Sequence, residues 1–479
     1  MTAPSDLSCD RTACVCRGRV LMIPRAEDFP VDDVAVDVLV AGGAAAGLCA
    51  AIAARRRGAS VLLAERAPLA LRGGNTRHAR NFRIVHDGPA DWVPDAYRED
   101  EFVADLERVT EGECDLALAR HLVRASASIA PWLADNGVAL QSRDAGVLPY
   151  SRRTAFLFGG GKAMVNALYA TAERLGVRVA YDAEVAAVRT HDDGCEAEIV
   201  RHGARERERV RVRLRAKTIV MATGGHQADL DWLREDFGEA AGRLVIRGTP
   251  YADGRGLRLL LGLGAQAIGD PGSAHMVAVD ARGPRFDGGI VTRITGIPYG
   301  IVVDRTGRRI ADERADTRRT HYAQWGPRIA AAPGHIAYLI VDRDGLRRAG
   351  PTALPPVTAQ ALPDLARRLE VDAAALADTV ERFNTAALAL QPATRPVREP
   401  PLAAWPLLPG LTFTRYGVRV DGAMRVVMRD GTAAPRLFAA GTLVQANILG
   451  RGYLAGLGVT LAAVSGRIAG EEAARATTV

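Results

Sequence analysis

Residues 36–65 read VDVLVAGGAAAGLCAAIAARRRGASVLLAE. The first six, Val36 to Ala41, are an apolar run of strand-forming residues. Gly42 to Gly47 then supply a glycine–alanine turn, and an alanine-rich helix is expected to run to Arg57. Gly58 ends it, Val61 to Ala64 form a second strand, and Glu65 closes the unit. Strand, glycine turn, helix, strand and acid in this order read as a nucleotide-binding βαβ unit, with Glu65 lying 23 residues after Gly42 and within reach of a ribose. Ala44 stands where the pattern has its second glycine. Its methyl narrows the approach of a pyrophosphate to the backbone.

The sequence further on selects among nucleotides. Arg72-Gly73-Gly74-Asn75-Thr76 follows the second strand with a glycine pair and small polar side chains. Ala216 to Gly225 reads as a strand ending in Ala222-Thr223-Gly224-Gly225, and Leu437 to Thr442 as another, closing on Gly441-Thr442. Three glycine-ended strands far apart in the chain can converge at one sheet edge, and a two-phosphate cofactor with a long flavin end needs such a set, which points to FAD rather than NAD. The expected contacts are Gly42, Ala46, Gly47, Glu65 and Arg66 from the first unit, Gly73 to Thr76 from the loop, and Gly160, Gly161, Val185, Ala222, Thr223, Gly224, Gly441, Thr442, Gly456 and Leu457 beyond it.

Composition bounds the alternatives. The 479 residues are too many for one compact core. With 48% hydrophobic and 24% charged residues the chain is neither disordered, collagenous nor a polytopic membrane protein. Aromatics at 5% supply a stacking surface for single-stranded nucleic acid poorly. Of 62 basic residues only Lys162 and Lys217 are lysine, so the net charge of +7 is carried by arginine, the side chain that clamps carboxylates in pairs. The arginine run from Arg201 to Arg215 alternates with Val210, Val212 and Leu214 and reads as a solvated strand face. Cys9, Cys14 and Cys16 have neither zinc nor iron–sulfur spacing, so no metal is expected and a reducing, cytoplasmic setting follows. Residues 1–33 read as a loose extension, with Met22 a second possible start. The apolar stretch Leu437 to Ala469 contains Arg451 and many glycines, and reads as a buried turn and core helix rather than a membrane span.

Four motifs resemble one flavoprotein group: Arg72 to Asn81, Phe158 to Ala163, Asp312-Glu313-Arg314-Ala315-Asp316, and Asn447-Ile448-Leu449-Gly450-Arg451-Gly452-Tyr453-Leu454-Ala455-Gly456. From about Val36 to Ala473 the chain is similar to the superfamily of fumarate reductase, succinate dehydrogenase and 3-ketosteroid Δ1-dehydrogenase, and within it to FAD-dependent tricarballylate dehydrogenases. The resemblance implies an α/β, Rossmann-like FAD-binding domain in two pieces, 34–269 and 414–479, with an α+β capping domain inserted at 270–413. It implies oxidation of tricarballylate to cis-aconitate, or else a related dehydrogenase or enoate reductase on another anionic substrate, or a flavin electron-transfer subunit.

Three catalytic residues follow from it: Arg451 as a substrate-carboxylate clamp, His275 as a substrate ligand, and Arg318 as the proton acceptor, with Arg319 in reserve because the spacing from Glu313 is one residue longer than in fumarate reductases. No histidine stands in Thr412-Phe413-Thr414-Arg415-Tyr416 before the last segment, which argues against fumarate or succinate. Asn75 occupies the position where succinate dehydrogenases attach FAD through histidine, so non-covalent FAD is expected. The chain has no haem motif and no complete iron–sulfur ligand set, so a separate electron acceptor, iron–sulfur or quinone-linked at the membrane, is expected.

Overall fold

The computed structural model describes residues 15–16, 19–20, 34–143, 151–202, 209–289, 291–314, 321–389 and 396–478. Most of the expected extension, including Cys9 and Cys14, and the segment carrying Arg318 and Arg319 lie outside these residues.

The first part of the chain forms β1 (Val34–Ala41), α1 (Ala45–Arg56), β2 (Val61–Ala64), α2 (Gly160–Arg174), β3 (Arg178–Ala180), β4 (Ala183–Thr190), β5 (Cys195–His202) and β6 (Arg209–Met221). The middle part contributes β7 (Val245–Ile246), β8 (Ala267–Asp280), β9 (Ile301–Asp304), β10 (Ala337–Val341), β11 (Val357–Ala359) and β12 (Leu402–Val418). The chain ends with β13 (Arg425–Val427), β14 (Ala433–Ala439) and α3 (Leu457–Arg475).

Two sheets result. The first runs β13-β14-β6-β1-β2-β3, with β5 paired to β6 and β4 to β5. Its centre, β14, β6, β1, β2 and β3, is parallel. The order reverses on either side of β1, which opens a crevice at the carboxyl ends of β1 and β6. Strand β6 shows both strand types. Its first half alternates buried Val212, Leu214 and Ala216 with exposed Arg211, Arg213 and Arg215, whereas Thr218 to Met221, flanked by parallel neighbours, are buried continuously. The expected solvated arginine face is therefore present, although Val210 is exposed beside it.

Helix α1 is buried from Ala45 to Ala54 between the sheet and α3. The two helices approach so closely that a Cβ on Gly466 or Gly470 would strike the carbonyl oxygens of Ala46 and Ala50. The apolar stretch near the C-terminus is thus a core helix, and no helix among the described residues is long and apolar enough to cross a membrane.

The second sheet is built on β12, which pairs with β8, β10 and β11 antiparallel and with β7 parallel, while β9 extends it from β10. Pro406 and Pro409 lie inside β12. The strand tolerates them because its partners change along its length and the proline carbonyls still bond, Pro406 accepting from the Ala281 amide at 2.9 Å. Strands β8 and β12 carry the chain from one sheet to the other, which brings Thr412, Phe413 and His275 to the crevice.

Candidate active site

An elongated cleft with about 1890 Å³ of open space follows the carboxyl edge of the first sheet and ends between the two sheets.

The near end is built by the βαβ unit. The Gly42 amide donates to the Ala64 carbonyl at 2.8 Å, and Glu65 accepts from the Gly43 amide at 2.8 Å and the Ala67 amide at 2.7 Å. Burial raises the pKa of Glu65, against the lowering effect of those two amides. A Cβ at Gly43 would collide with the Tyr169 hydroxyl and the Glu65 carboxylate. Ala44 and Ala46 bring the N-terminus of α1 to the cleft wall, and Gly456 and Gly458 bring that of α3. Two helix N-termini favour the negative charge of a pyrophosphate and of an electron-rich ring. Buried polar atoms without partners line the same wall: Thr223 Oγ1, Gln227 Oε1 and Gln445 Nε2. Such atoms are costly unless a ligand satisfies them, and the chemistry of the set, a ribose acid, an anion-binding turn and amide donors and acceptors, fits FAD.

Most expected cofactor residues are brought together here: Gly42, Ala46, Glu65, Arg66, Gly74, Asn75, Thr76, Val185, Ala222, Thr223, Gly224, Gly441, Thr442 and Gly456 line the cleft. Five do not. Gly47 lies beneath the turn, where a Cβ would hit the Gly42 carbonyl. Gly73 faces Val165, and Leu457 is in the core. Gly160 and Gly161 begin α2 and support the 74–79 turn from behind, the Gly161 amide donating to Ala79 at 2.7 Å. Asn75 acts as a clasp between the halves, donating to the Thr412 carbonyl at 2.9 Å and accepting from the Thr249 amide at 3.0 Å. His78 reaches the cleft but pairs with Asp287 at 2.8 Å.

The far end is cationic. Arg80, Arg247 and Arg293 line it with His275, Tyr322 and Tyr453. Arg247 Nε donates to the Gly289 carbonyl at 3.0 Å and Nη1 to Thr412 Oγ1 at 2.6 Å. Burial, with Arg293 and Arg80 nearby, lowers the Arg247 pKa to about 10, and burial also lowers that of Arg293. Among the described residues none of the three arginines has a carboxylate partner, so this end of the cleft favours an anionic ligand.

His275 is buried, its ring stacked on Tyr453 at 3.8 Å and 3° from parallel. Burial and the charges of Arg247, Arg415 and Arg293 push its pKa well below the usual value, so it is neutral near pH 7, with Nδ1 unpartnered. Burial raises the pKa of the Tyr453 phenol, which hydrogen-bonds to Tyr322.

Of the residues expected at the substrate, His275 lines the cleft and Arg451 does not. Its guanidinium pairs with Glu111 at 2.9 Å and Glu113 at 3.5 Å, with 47% of the side chain exposed. The turn through Gly452, which has a positive φ, points Arg451 outward and delivers Tyr453 to the cleft instead. Glu313 is a buried anchor that accepts from the Val302 amide at 2.7 Å and pairs with Arg309. Tyr416 packs against His226 and Trp232, away from the cleft. The missed residues are Arg247, Arg293 and Tyr322, together with Arg80 and Tyr453, which lie within two of the four motifs; nothing local in the sequence marks Arg247 or Arg293.

Residues 37–459 match the family model described as FAD binding domain. The chain is 27% identical to 4-oxocyclohexanecarboxylate 2-dehydrogenase of Sinomonas cyclohexanicum, over 91% of this chain and 93% of that one. It is 26% identical to a cytochrome-type fumarate reductase of Shewanella frigidimarina, over 92% and 77%. The open conformation of a flavocytochrome c3 fumarate reductase superposes with a TM-score of 0.73 at 22% identity, covering 93% of this chain and 79% of that one, a likeness of fold. These matches place the protein in the FAD binding domain family, as an FAD-dependent oxidoreductase acting on CH–CH bonds.

Proposed function

We propose that the protein dehydrogenates a small polycarboxylate, with conversion of tricarballylate to cis-aconitate as the narrowest form of the reading. The observation that carries it is the cluster of Arg80, Arg247 and Arg293, which has no carboxylate partner among the described residues. A bare electron carrier has no use for three such cations beside its cofactor, and a neutral substrate leaves them uncompensated.

Bound FAD would supply a two-electron acceptor for the hydride that the substrate loses. Everything else falls to the chain. Arg247 and Arg293 hold carboxylates through paired N–H donors and fix which C–H bond faces the flavin. Neutral His275 offers a hydrogen bond without adding charge. The proton from the neighbouring carbon goes to Arg318, or to Arg319 if the register is shifted by one, as the superfamily resemblance suggests. FAD is held without a covalent bond, since Asn75 is a clasp and His78 is engaged with Asp287. The electrons then pass to a separate iron–sulfur or quinone-linked protein, and the setting is cytoplasmic. Rapid turnover with oxygen alone, equal to that with every protein or dye acceptor, would make the protein an oxidase instead.

One observation favours a second reading within the same class. The Tyr453 phenol, joined to Tyr322 in the arginine cluster, suits the carbonyl oxygen of an oxo acid, and one relative carries such a compound in its name. Anaerobic mixing of holoprotein with tricarballylate, other tricarboxylates and cyclic oxo acids, followed at the flavin band of about 450 nm, separates the two. Bleaching by tricarboxylates supports the first reading and bleaching by oxo acids alone the second. No bleaching by any anionic compound of either kind would count against both.

A further inference from the structure

Arg415 lies on β12 and is 7% exposed, yet among the described residues it has no carboxylate partner, and it does not line the cleft. Nη1 donates to Ser273 Oγ at 3.0 Å, Nη2 donates to the Gly452 carbonyl, and Nε has no partner. Burial and the nearby charge of Arg451 lower its pKa to about 10. An isolated buried guanidinium is expensive, so its placement calls for a reason.

The register of the long strand pair supplies one. Gly269 lies opposite Tyr416 and Ala274 opposite Thr414, so β8 carries extra residues where β12 has only Arg415. Arg415 thus has no backbone partner on β8, and its side chain reaches the bulge through Ser273 instead. Bulges redirect side chains, and a bulge held at one point redirects them reproducibly. Two residues after Ser273 comes His275; immediately after Gly452 comes Tyr453. One guanidinium therefore fixes the backbone beside both rings of the 3.8 Å stack, although the two rings come from segments about 180 residues apart.

We propose that Arg415 is a positioning residue that sets the stack of His275 on Tyr453 by holding Ser273 and Gly452 together. It touches neither substrate nor cofactor and acts through those two rings. The proposal rests on the reading that His275 and Tyr453 face the substrate. Lysine keeps the charge but has one donor centre, which cannot span both acceptors in the planar geometry of the fork.

The test uses purified holoprotein of wild type, Arg415→Met, Arg415→Lys, Arg415→Ala and Ser273→Ala, the last removing one anchor of the guanidinium. The crystal structure of each variant is compared with that of wild type. FAD content is measured, and kcat and KM are obtained per bound FAD with whichever anionic compound bleaches the wild type. The expected result is full FAD content and a displaced His275–Tyr453 stack. kcat should fall by about 10- to 100-fold in Arg415→Met, as a displacement of about 1 Å can cause. Arg415→Lys should show a similar loss and Ser273→Ala a smaller one. In Arg415→Ala, added guanidinium ion should restore part of kcat. Combining Arg415→Met with His275→Ala should cost little more than the worse single change, because both act through one stack.

An unchanged stack in the Arg415→Met and Ser273→Ala structures overturns the proposal, whatever the substrate. Additive losses in the double variant overturn it too, as does an Arg415→Met protein that merely melts earlier with kcat per FAD intact. If Arg415→Met does not fold, Ser273→Ala and Arg415→Lys decide by the same criteria. Failure of the substrate reading would appear separately, as wild-type holoprotein that no anionic compound bleaches, while the structural comparison still stands.

Discussion

The Glu65 carboxylate accepts the Gly43 amide at 2.8 Å, which ties the end of β2 to the turn that closes β1. Its second oxygen takes the Ala67 amide, so the acid is held by the protein before any ribose arrives. Such preorganisation lowers the ordering cost of binding.

Glu65→Ala should therefore weaken FAD binding by about 1.5–3 kcal/mol, roughly 10- to 150-fold, because it removes the charged acceptor and leaves two buried amides unpaired. Glu65→Gln, which keeps one acceptor oxygen, should fall between. Titration of FAD into apoprotein measures both, and equal affinity in Glu65→Ala would remove the acid from the ribose site. Acid precipitation of yellow holoprotein should leave FAD in the supernatant; flavin that stays with the pellet would mean a covalent bond.

Arg247→Lys and Arg451→Lys should behave differently. Arg247 is buried among like charges, and lysine loses the fork, so the affinity for a polycarboxylate should fall by about 1–3 kcal/mol, read mainly as a raised KM. Arg451 is half exposed and paired with Glu111 and Glu113, so its replacement should change KM by less than about threefold. A large KM effect at Arg451 with none at Arg247 would return the clamp to Arg451.

His275 makes folding pH-dependent in a definite direction. Its folded pKa lies below the unfolded value, owing to burial and to the charges of Arg247, Arg415 and Arg293 that face it. Below the unfolded value of about 6.5 the unfolded chain binds the proton that the folded chain refuses, so stability is lost as pH falls through that window and is complete above it. His275→Phe should flatten this dependence between about pH 6.5 and 5 in thermal melts, relative to wild type. Glu65, raised by burial, contributes with the opposite sign, which is why the difference between the two proteins is the quantity to measure. An identical slope in both would mean that His275 is charged in the folded protein.

The proton acceptor can be located by comparing three substitutions. Arg318→Lys should lower kcat by roughly 10²–10⁴-fold with little change in KM, as expected for lost acid–base catalysis. If Arg319→Lys does this and Arg318→Lys does not, the register is shifted by one. If both keep full kcat and Tyr322→Phe abolishes it, the proton leaves through the Tyr322–Tyr453 pair at the cleft wall.

The cofactor end was legible in the sequence because it is local. Strand, turn, helix and acid between Val34 and Glu65 are neighbours in the chain, and the backbone hydrogen bonds of such a unit determine where Gly42 and Glu65 stand. The same holds for the glycine-ended strands at Ala222 and Gly441, whose ends meet because parallel strands share one edge. The substrate end was not legible, because its residues come from separate segments joined only by β8, β12 and the loops between the sheets. Motif matching selected Arg451, yet one turn at a positive-φ glycine sends that side chain to solvent and its second neighbour, Tyr453, inward. Arg247 and Arg293 have no distinctive neighbours in sequence, and only the folding of one sheet against the other brings their charges together. The sequence by itself determined that this chain binds FAD by a nucleotide-binding βαβ unit. The tertiary structure decided which arginines meet at the flavin end, because like charges that repel in isolation are held together only by the packing of elements distant in the chain.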